Sequence, residues 1–172
     1  MKTCAYPVFD YQDLGGQVVT LASAHPLNLR ETVSLDAALS WIEAEIERFI
    51  PLAPNTSPQA TNRFRKMLTL LCFAYGTALR KSSEIVQACW KDPEYRRVAG
   101  DLRPFEDEVK YFRRRYRPLL EVVLSRLFLR AVLADAPSQY TNQTMPDLQR
   151  SLEDEAREAL NVARHLDSCD DC

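Results

Sequence analysis

The chain has few glycines and histidines, and this scarcity limits the catalytic classes that it can belong to. There are 4 glycines and 2 histidines among 172 residues. Gly15-Gly16 precedes no helix signal, so no glycine-rich phosphate loop is expected. Neither His25 nor His165 stands near a recognisable nucleophile pattern, and the acidic run at 153–155 is typical of a solvated helix face. The sequence predicts a protein that is not an enzyme and needs no cofactor.

A long hydrophobic run and a secretory leader are also lacking. The longest apolar run covers 67–74 and is interrupted by Thr69, whereas a membrane-spanning helix needs about 20 apolar residues. The first residues, MKTCAYPVFDYQD, carry a proline and acids where a signal peptide has its apolar core. We therefore expect a cytoplasmic protein that does not enter a membrane.

The cysteines do not form the pattern of a disulfide framework. Their number, 5, is odd, and they are spread over the whole chain. Cys72 and Cys89 stand among apolar residues, where a free cysteine behaves as a small core side chain. This usage is typical of a reducing compartment.

The last residues allow two interpretations. His165, Cys169 and Cys172 have a spacing that is compatible with three zinc ligands, and Cys4 or His25 would then be the fourth. The alternative is a solvated tail, because the fourth ligand is undefined and chain ends commonly fray. The second interpretation predicts no metal.

Charge is distributed unevenly along the chain. The net charge is −2, but residues 63–130 contain 16 Lys and Arg against 8 Asp and Glu. Residues 1–62 have 3 against 7, and residues 131–172 have 3 against 9. A basic centre indicates a polyanion-binding surface, with acidic flanks that limit non-specific binding or fold back on it. The alternative is a set of solvated charged faces.

Prolines, caps and periodic apolar residues predict an all-α protein of about six to seven helices. Ser34, the Ser57-Pro58 step, the Ser82-Ser83 pair and the Asp92-Pro93 step are helix starts, and Gly100 is a helix stop. The predicted helices cover 34–50, 57 to 76–79, 82–90, 92–100, 102–117, 119–133 and 146–166, and only 17–21 resembles a short strand. We expect an irregular arm (1–33), a helix-turn-helix-like bundle (34–134), and a linker with an acidic C-terminal helix (135–172).

The most informative segment reads LRPFEDEVKYFRRRYR and covers 102–117. Pro104 suits a first helical position and the acids suit the first turn, where they face the positive end of the helix dipole. At about 100° per residue, the apolar side chains form one stripe and the cations another, roughly a third of a turn away. The pattern predicts a helix anchored on one side and basic on the other, as in proteins that lie against a nucleic-acid backbone.

Five short motifs, in order, resemble the N-terminal domain of bacterial insertion-sequence transposases of the DDE type. The motifs are Tyr75-Gly76, Ser82-Ser83-Glu84-Ile85, Tyr95-Arg96-Arg97 with Gly100, Leu102-Arg103-Pro104 and Phe112-Arg113-Arg114-Arg115. The resemblance covers roughly residues 64–130. It implies a helical domain that recognises the ends of a DNA element.

The chain departs from that family in two ways. Residues 105–109 read FEDEV, where the family has an Asp-His-Thr-Ile-like sequence. The catalytic domain, which needs three carboxylates on a sheet to hold two metal ions, has no counterpart in 134–172. The resemblance therefore implies end recognition without strand transfer.

The sequence predicts a non-catalytic protein that binds double-stranded DNA, either a transposase remnant or a reused regulator. The predicted contacts are five of the six cations of the 102–117 segment, with two arginines before it: Arg96, Arg97, Arg103, Lys110, Arg113, Arg114 and Arg117. The alternative is a helical adaptor whose basic face binds an acidic protein partner.

A homodimer or a partner complex through the C-terminal helix is also expected. Its narrow apolar stripe suits packing on another surface. The stripe consists of Leu148, Leu152, Ala156, Ala159 and Leu160. Transposase-like modules act in pairs, so the resemblance implies a dimer as well.

Overall fold

The computed structural model describes residues 28–48, 57–135 and 145–168. All regular secondary structure in these ranges is helical, which confirms the all-α class. The helices are α1 (Leu29–Thr32), α2 (Leu35–Glu47), α3 (Pro58–Gly76), α4 (Ser82–Lys91), α5 (Pro93–Ala99), α6 (Glu106–Arg115), α7 (Arg117–Asp135) and α8 (Met145–Ser168). The predicted strand at 17–21 lies outside the described residues.

Three helices begin where the sequence predicts a cap. The hydroxyl of Ser34 accepts a hydrogen bond from the Ala37 N–H at 3.4 Å, and Ser57 caps α3 in the same way. Asp92 caps α5, which ends at Gly100 with a φ of 60°. Glycine adopts this backbone conformation at little cost, so it stops the helix there.

The beginning of α4 differs from the sequence prediction. The cap residue is Lys81, which makes no capping hydrogen bond with its side chain. Ser82, predicted to be part of the cap, is the first residue of the helix and is fully buried. Its backbone N–H and its hydroxyl both donate to Asp167, 85 residues later. A carboxylate from α8 therefore takes over the capping role.

The basic segment is divided differently from the prediction. α6 begins at Glu106, after Phe105, and Pro104 is buried ahead of it rather than inside the first turn. The Glu108 carboxylate accepts a hydrogen bond from the Phe105 N–H at 3.0 Å, which satisfies one donor at the helix start. The break between α6 and α7 lies at Tyr116, and Pro118 fits in the first turn of α7 because no helical bond needs its missing N–H.

The central helix is α3, as its broad apolar surface predicts. From Met67 to Gly76 it is buried except at Thr69, and it packs against α2, α5 and α7. Cys72 and Cys89 are fully buried, so both are core residues. The short α1 closes one end of the core by placing Leu29 directly on Gly76, where a side chain would collide with it.

The C-terminal helix belongs to the same core. α7 and α8 run antiparallel and form the most extensive helix contact of the described chain. All residues of the predicted partner-binding stripe are buried within the chain: Leu148, Leu152, Ala156, Ala159 and Leu160. The prediction that this stripe is available to a partner is therefore wrong. None of the described helices combines the length and the apolar character that crossing a bilayer requires.

Candidate nucleic-acid interface

The apolar side of α6 is anchored as the sequence predicts. Val109 is fully buried, and Phe112 is nearly so. The Phe112 ring lies 5.3 Å from the ring of Phe64 on α3, and Tyr116 contacts the same ring edge-on at 4.8 Å. Aromatic pairs at these separations stabilise the contact beyond the area that they bury. The rotation of α6 about its axis is thereby fixed.

That rotation places Arg113 inside the protein. The residue is buried and forms an ion pair with Asp167 of α8. Its guanidinium also donates to the Ser82 hydroxyl at 3.3 Å and to the Tyr75 hydroxyl at 3.4 Å. The prediction that Arg113 points outward to DNA is wrong, because the carboxylate of a distant helix covers it.

We define the buried polar cluster as Tyr75, Ser82, Arg113 and Asp167. Two of its members, Arg113 and Asp167, carry a charge at neutral pH. Burial alone would raise the pKa of the Asp167 carboxyl, but hydrogen bonds from Ser82 and Arg113 outweigh it and leave the pKa below its ordinary value. Burial likewise opposes the charge on Arg113, yet Tyr75 and Asp167 keep its pKa raised. Desolvation raises the pKa of Tyr75 to about 12. The cluster is thus a charged pair with neutral hydroxyls around it.

Two further predicted cations are engaged within the chain. Lys110 has a side chain that is only 17% exposed, and its Nζ lies 2.9 Å from a Glu106 oxygen. Arg117 reaches Glu121 at 2.9 Å through Nε and donates to Asn161 of α8 at 2.6 Å. These contacts do not prevent binding to phosphate, but a competing anion would have to replace them.

The solvent-facing side of α6 lies roughly a quarter of a turn around the helix from the stripe of cations that the sequence predicts. It presents Tyr111, which is 61% exposed, and the exposed side chains of Arg114 and Arg115. Tyr111 precedes them by three and four residues, so all three lie on one face. Within the described chain, neither arginine forms an ion pair or a side-chain hydrogen bond. Arg114 is among the contacts that the sequence predicts, whereas Arg115 and Tyr111 are not.

An exposed arginine of α8 lies between two residues that contact α6 and the start of α7. Asn161 contacts Arg117, and Asp167 contacts Arg113, so this part of α8 runs along the α6–α7 corner. Arg164 lies midway between Asn161 and Asp167 and is exposed. We call Tyr111, Arg114, Arg115 and Arg164 the basic corner. Arg164 could not be found from the sequence, because its position depends on how α8 packs.

The three remaining predicted contacts lie around α5. Arg96 is exposed, while Arg97 pairs with Asp36 of α2 at 2.5 Å. Arg103 donates to the carbonyl oxygens of Gly100 and Leu102, and its guanidinium lies 5.2 Å from the centre of the Trp90 ring. Arg103 therefore fixes the loop before α6 and covers an exposed aromatic ring, which is a structural role.

The parts of the acidic flanks that the structure describes fold back on the basic centre. Carboxylates of α2 and α8 form ion pairs with cations of residues 63–130: Glu47 with Arg65, Asp36 with Arg97, Asp167 with Arg113, and Glu45 with Arg126 and Arg130. These pairs lower the positive charge that residues 63–130 present to solvent. The basic corner is a region where this neutralisation is incomplete.

The possible zinc site cannot be assembled from the described residues. His165 is exposed on α8, while Cys4, His25, Cys169 and Cys172 lie outside the described ranges. Within those ranges no group of three or more His, Cys, Asp or Glu side chains is arranged to hold a metal ion.

Comparison with known proteins adds no relative. No protein-family model matches the chain, and no curated protein or solved structure is significantly similar to it.

Proposed function

We propose that this chain is a non-catalytic protein that binds double-stranded DNA through the basic corner. The observation that supports the proposal is the pair Arg114 and Arg115, which are exposed on an anchored helix beside Tyr111. Arginine forms bidentate bonds with phosphate, and a tyrosine hydroxyl also donates to phosphate oxygens. The role matches that of a transposase end-recognition domain.

The charges along α6 restrict how DNA would be bound. Its first turn carries Glu106, Asp107 and Glu108, and its last turn carries the arginines. Phosphates would be repelled by the first turn and attracted by the last. We therefore expect α6 to meet the DNA backbone with its C-terminal end, where Arg164 extends the surface, rather than along its whole length.

A mobility-shift titration tests the proposal. A duplex of about 30 base pairs would be titrated at about 50 and 200 mM salt, because phosphate contacts make log K fall with log salt by about 0.9 per contact. The double variant R114Q/R115Q should bind more weakly and reduce that slope by about 2. Gln is polar and similar in length, so the fold should be unaffected.

The matched control is Arg150→Gln. Arg150 is exposed on α8 and lies about 21 Å along the helix from Arg164, so this variant should bind DNA like the wild type. The proposal is overturned if the wild type does not bind, if binding is insensitive to salt, or if R114Q/R115Q behaves like the control.

The second candidate is an adaptor that binds an acidic protein, and the exposed aromatic rings favour it. Phe105 is 75% exposed and Trp90 is 60% exposed, and aromatic and Arg side chains together are enriched at protein interfaces. Phe105→Ser separates the two functions. It should leave DNA affinity unchanged if phosphates are the target, whereas an adaptor should lose its partner.

A further inference from the structure

The solvent-facing side of α6 carries opposite charges at its two ends. Asp107, Tyr111 and Arg115 are all exposed and follow one another at intervals of four residues, so they form a single ridge along the helix. Tyr111 is the midpoint of this ridge, with Asp107 about 6 Å before it and Arg115 about 6 Å after it along the helix axis. The ridge is therefore acidic at its start, aromatic in its middle and basic at its end.

The charges at both ends of the ridge are available to a partner. Within the described residues, Asp107 and Arg115 form neither an ion pair nor a side-chain hydrogen bond. The other two acids of the first turn are held by Lys110 at 2.9 Å and by Arg63 at 2.6 Å. Asp107 is thus the acid of that turn whose carboxylate is not engaged by a described cation.

A ridge with this polarity is complementary to a second copy of itself. In a pair with two-fold symmetry both copies use the same surface, and a two-fold axis through Tyr111 makes the two α6 helices antiparallel. Asp107 of each copy then lies next to Arg115 of the other, because both residues are equally far from Tyr111. A parallel arrangement would instead bring like charges together, which costs free energy.

We propose that two copies of the chain associate through antiparallel α6 helices, with Tyr111 of each copy at the two-fold axis. Two ion pairs would surround a contact between the tyrosines, and Tyr and Arg are among the residues enriched in protein interfaces. This association goes beyond the proposed function and does not depend on it, although Arg115 takes part in both.

The size of the helix limits the strength of this association. α6 has 10 residues, so the contact is small and belongs to the weak, transient class of interfaces. Ion pairs between exposed side chains are also screened by salt. Association should therefore require a high protein concentration and a low salt concentration.

Sedimentation velocity of the full chain tests the pairing. At about 20 mM salt, the wild type should associate at protein concentrations up to about 1 mM, and about 300 mM salt should weaken this association several-fold. Asp107→Arg and Arg115→Asp each place like charges side by side, so each should weaken association at least about tenfold. A wild type that remains monomeric at low salt would overturn the proposal.

Mixing the two variants gives the decisive result. One ridge then carries two arginines and the other two aspartates, so the mixture should associate although neither variant does so alone. The exchange variant D107R/R115D has the opposite polarity and should associate like the wild type. Circular dichroism verifies that each variant is folded. A mixture that stays monomeric would contradict the proposal, because its ridges are complementary in charge.

The matched control is Arg150→Asp, which makes the same change of charge on the exposed side of α8. It should associate like the wild type, and a loss as large as that of Arg115→Asp would show that net charge rather than the ridge controls association. Asp107→Arg separates this proposal from DNA binding. It should abolish association but bind DNA at least as tightly as the wild type, since it removes an acid near the phosphates.

Discussion

Arg113 and Arg114 are neighbours in sequence, yet they occupy opposite environments. Arg113 is buried against Asp167, and Arg114 is exposed. Successive residues of a helix differ by about 100° in direction, so a helix that is covered on its Arg113 side leaves Arg114 in solvent. Arg113 therefore stabilises the fold, whereas Arg114 and Arg115, which follow it directly, are exposed to solvent.

Arg113→Gln should strongly destabilise the protein. It removes the partner of a buried carboxylate, and breaking a buried ion pair in this way costs about 3–5 kcal/mol. Arg114→Gln should change the free energy of unfolding by less than about 0.5 kcal/mol. Urea denaturation followed by circular dichroism measures both variants. An Arg113→Gln protein as stable as the wild type would show that the buried cluster contributes little to stability.

The same cluster makes stability depend on acid pH. The pKa of Asp167 is lower in the folded protein than its ordinary value of about 3.9, so the folded state favours the ionised carboxyl. Its contribution is complete above the unfolded-state pKa and is lost as the pH falls through the folded-state value. Asp167→Asn should therefore lose less stability than the wild type between about pH 4.5 and pH 2.5.

Urea unfolding at a series of pH values provides that comparison. Asp154→Asn is a suitable control, because Asp154 lies on the same helix with an exposed side chain. Its pH profile should follow the wild type closely. If Asp167→Asn loses stability below pH 4.5 as steeply as the wild type, another carboxylate controls the acid transition.

At the scale of the element, α8 is a core helix rather than an appended one. Leu152→Glu together with Leu160→Glu places two charges in the α7–α8 contact, where both leucines are at most 4% exposed. A buried, unpaired charge is among the most destabilising changes known. We expect loss of the cooperative thermal transition and lower helicity by circular dichroism.

The control is Leu166→Glu on the same helix, where the side chain is 37% exposed. This variant should retain the cooperative transition. A folded, monomeric L152E/L160E protein, detected by light scattering and circular dichroism, would instead indicate that the stripe serves association between chains.

The helices could be predicted from the sequence because their signals are local. Ser34, Ser57, Asp92 and Gly100 mark helix ends through contacts with residues a few positions away. The apolar side of α6 could be predicted from its stripe, but the burial of Arg113 could not. That burial depends on Asp167, which is 54 residues away from Arg113.

At the scale of the whole molecule, the charge division has a structural explanation. The acids of α2 and α8 are distributed over the basic centre and neutralise particular cations there, among them Arg97, Arg113 and Arg130. A count of charges along the chain reveals the imbalance but not the pairs. The binding surface that we propose for DNA, the basic corner, lies where this pairing is incomplete.

The contact between Ser82 and Asp167 also determines when the buried cluster can form during synthesis of the protein. A ribosome makes the N-terminal part first, so the segments of α4 and α6 are synthesised before residue 167 is added. Until α8 has been made and has packed, Arg113 lacks its counter-ion and Ser82 lacks its acceptor. Contacts between residues so far apart in sequence form late, and they lower the rate of folding. The buried cluster is therefore completed only after α8 has been synthesised and has packed against α7.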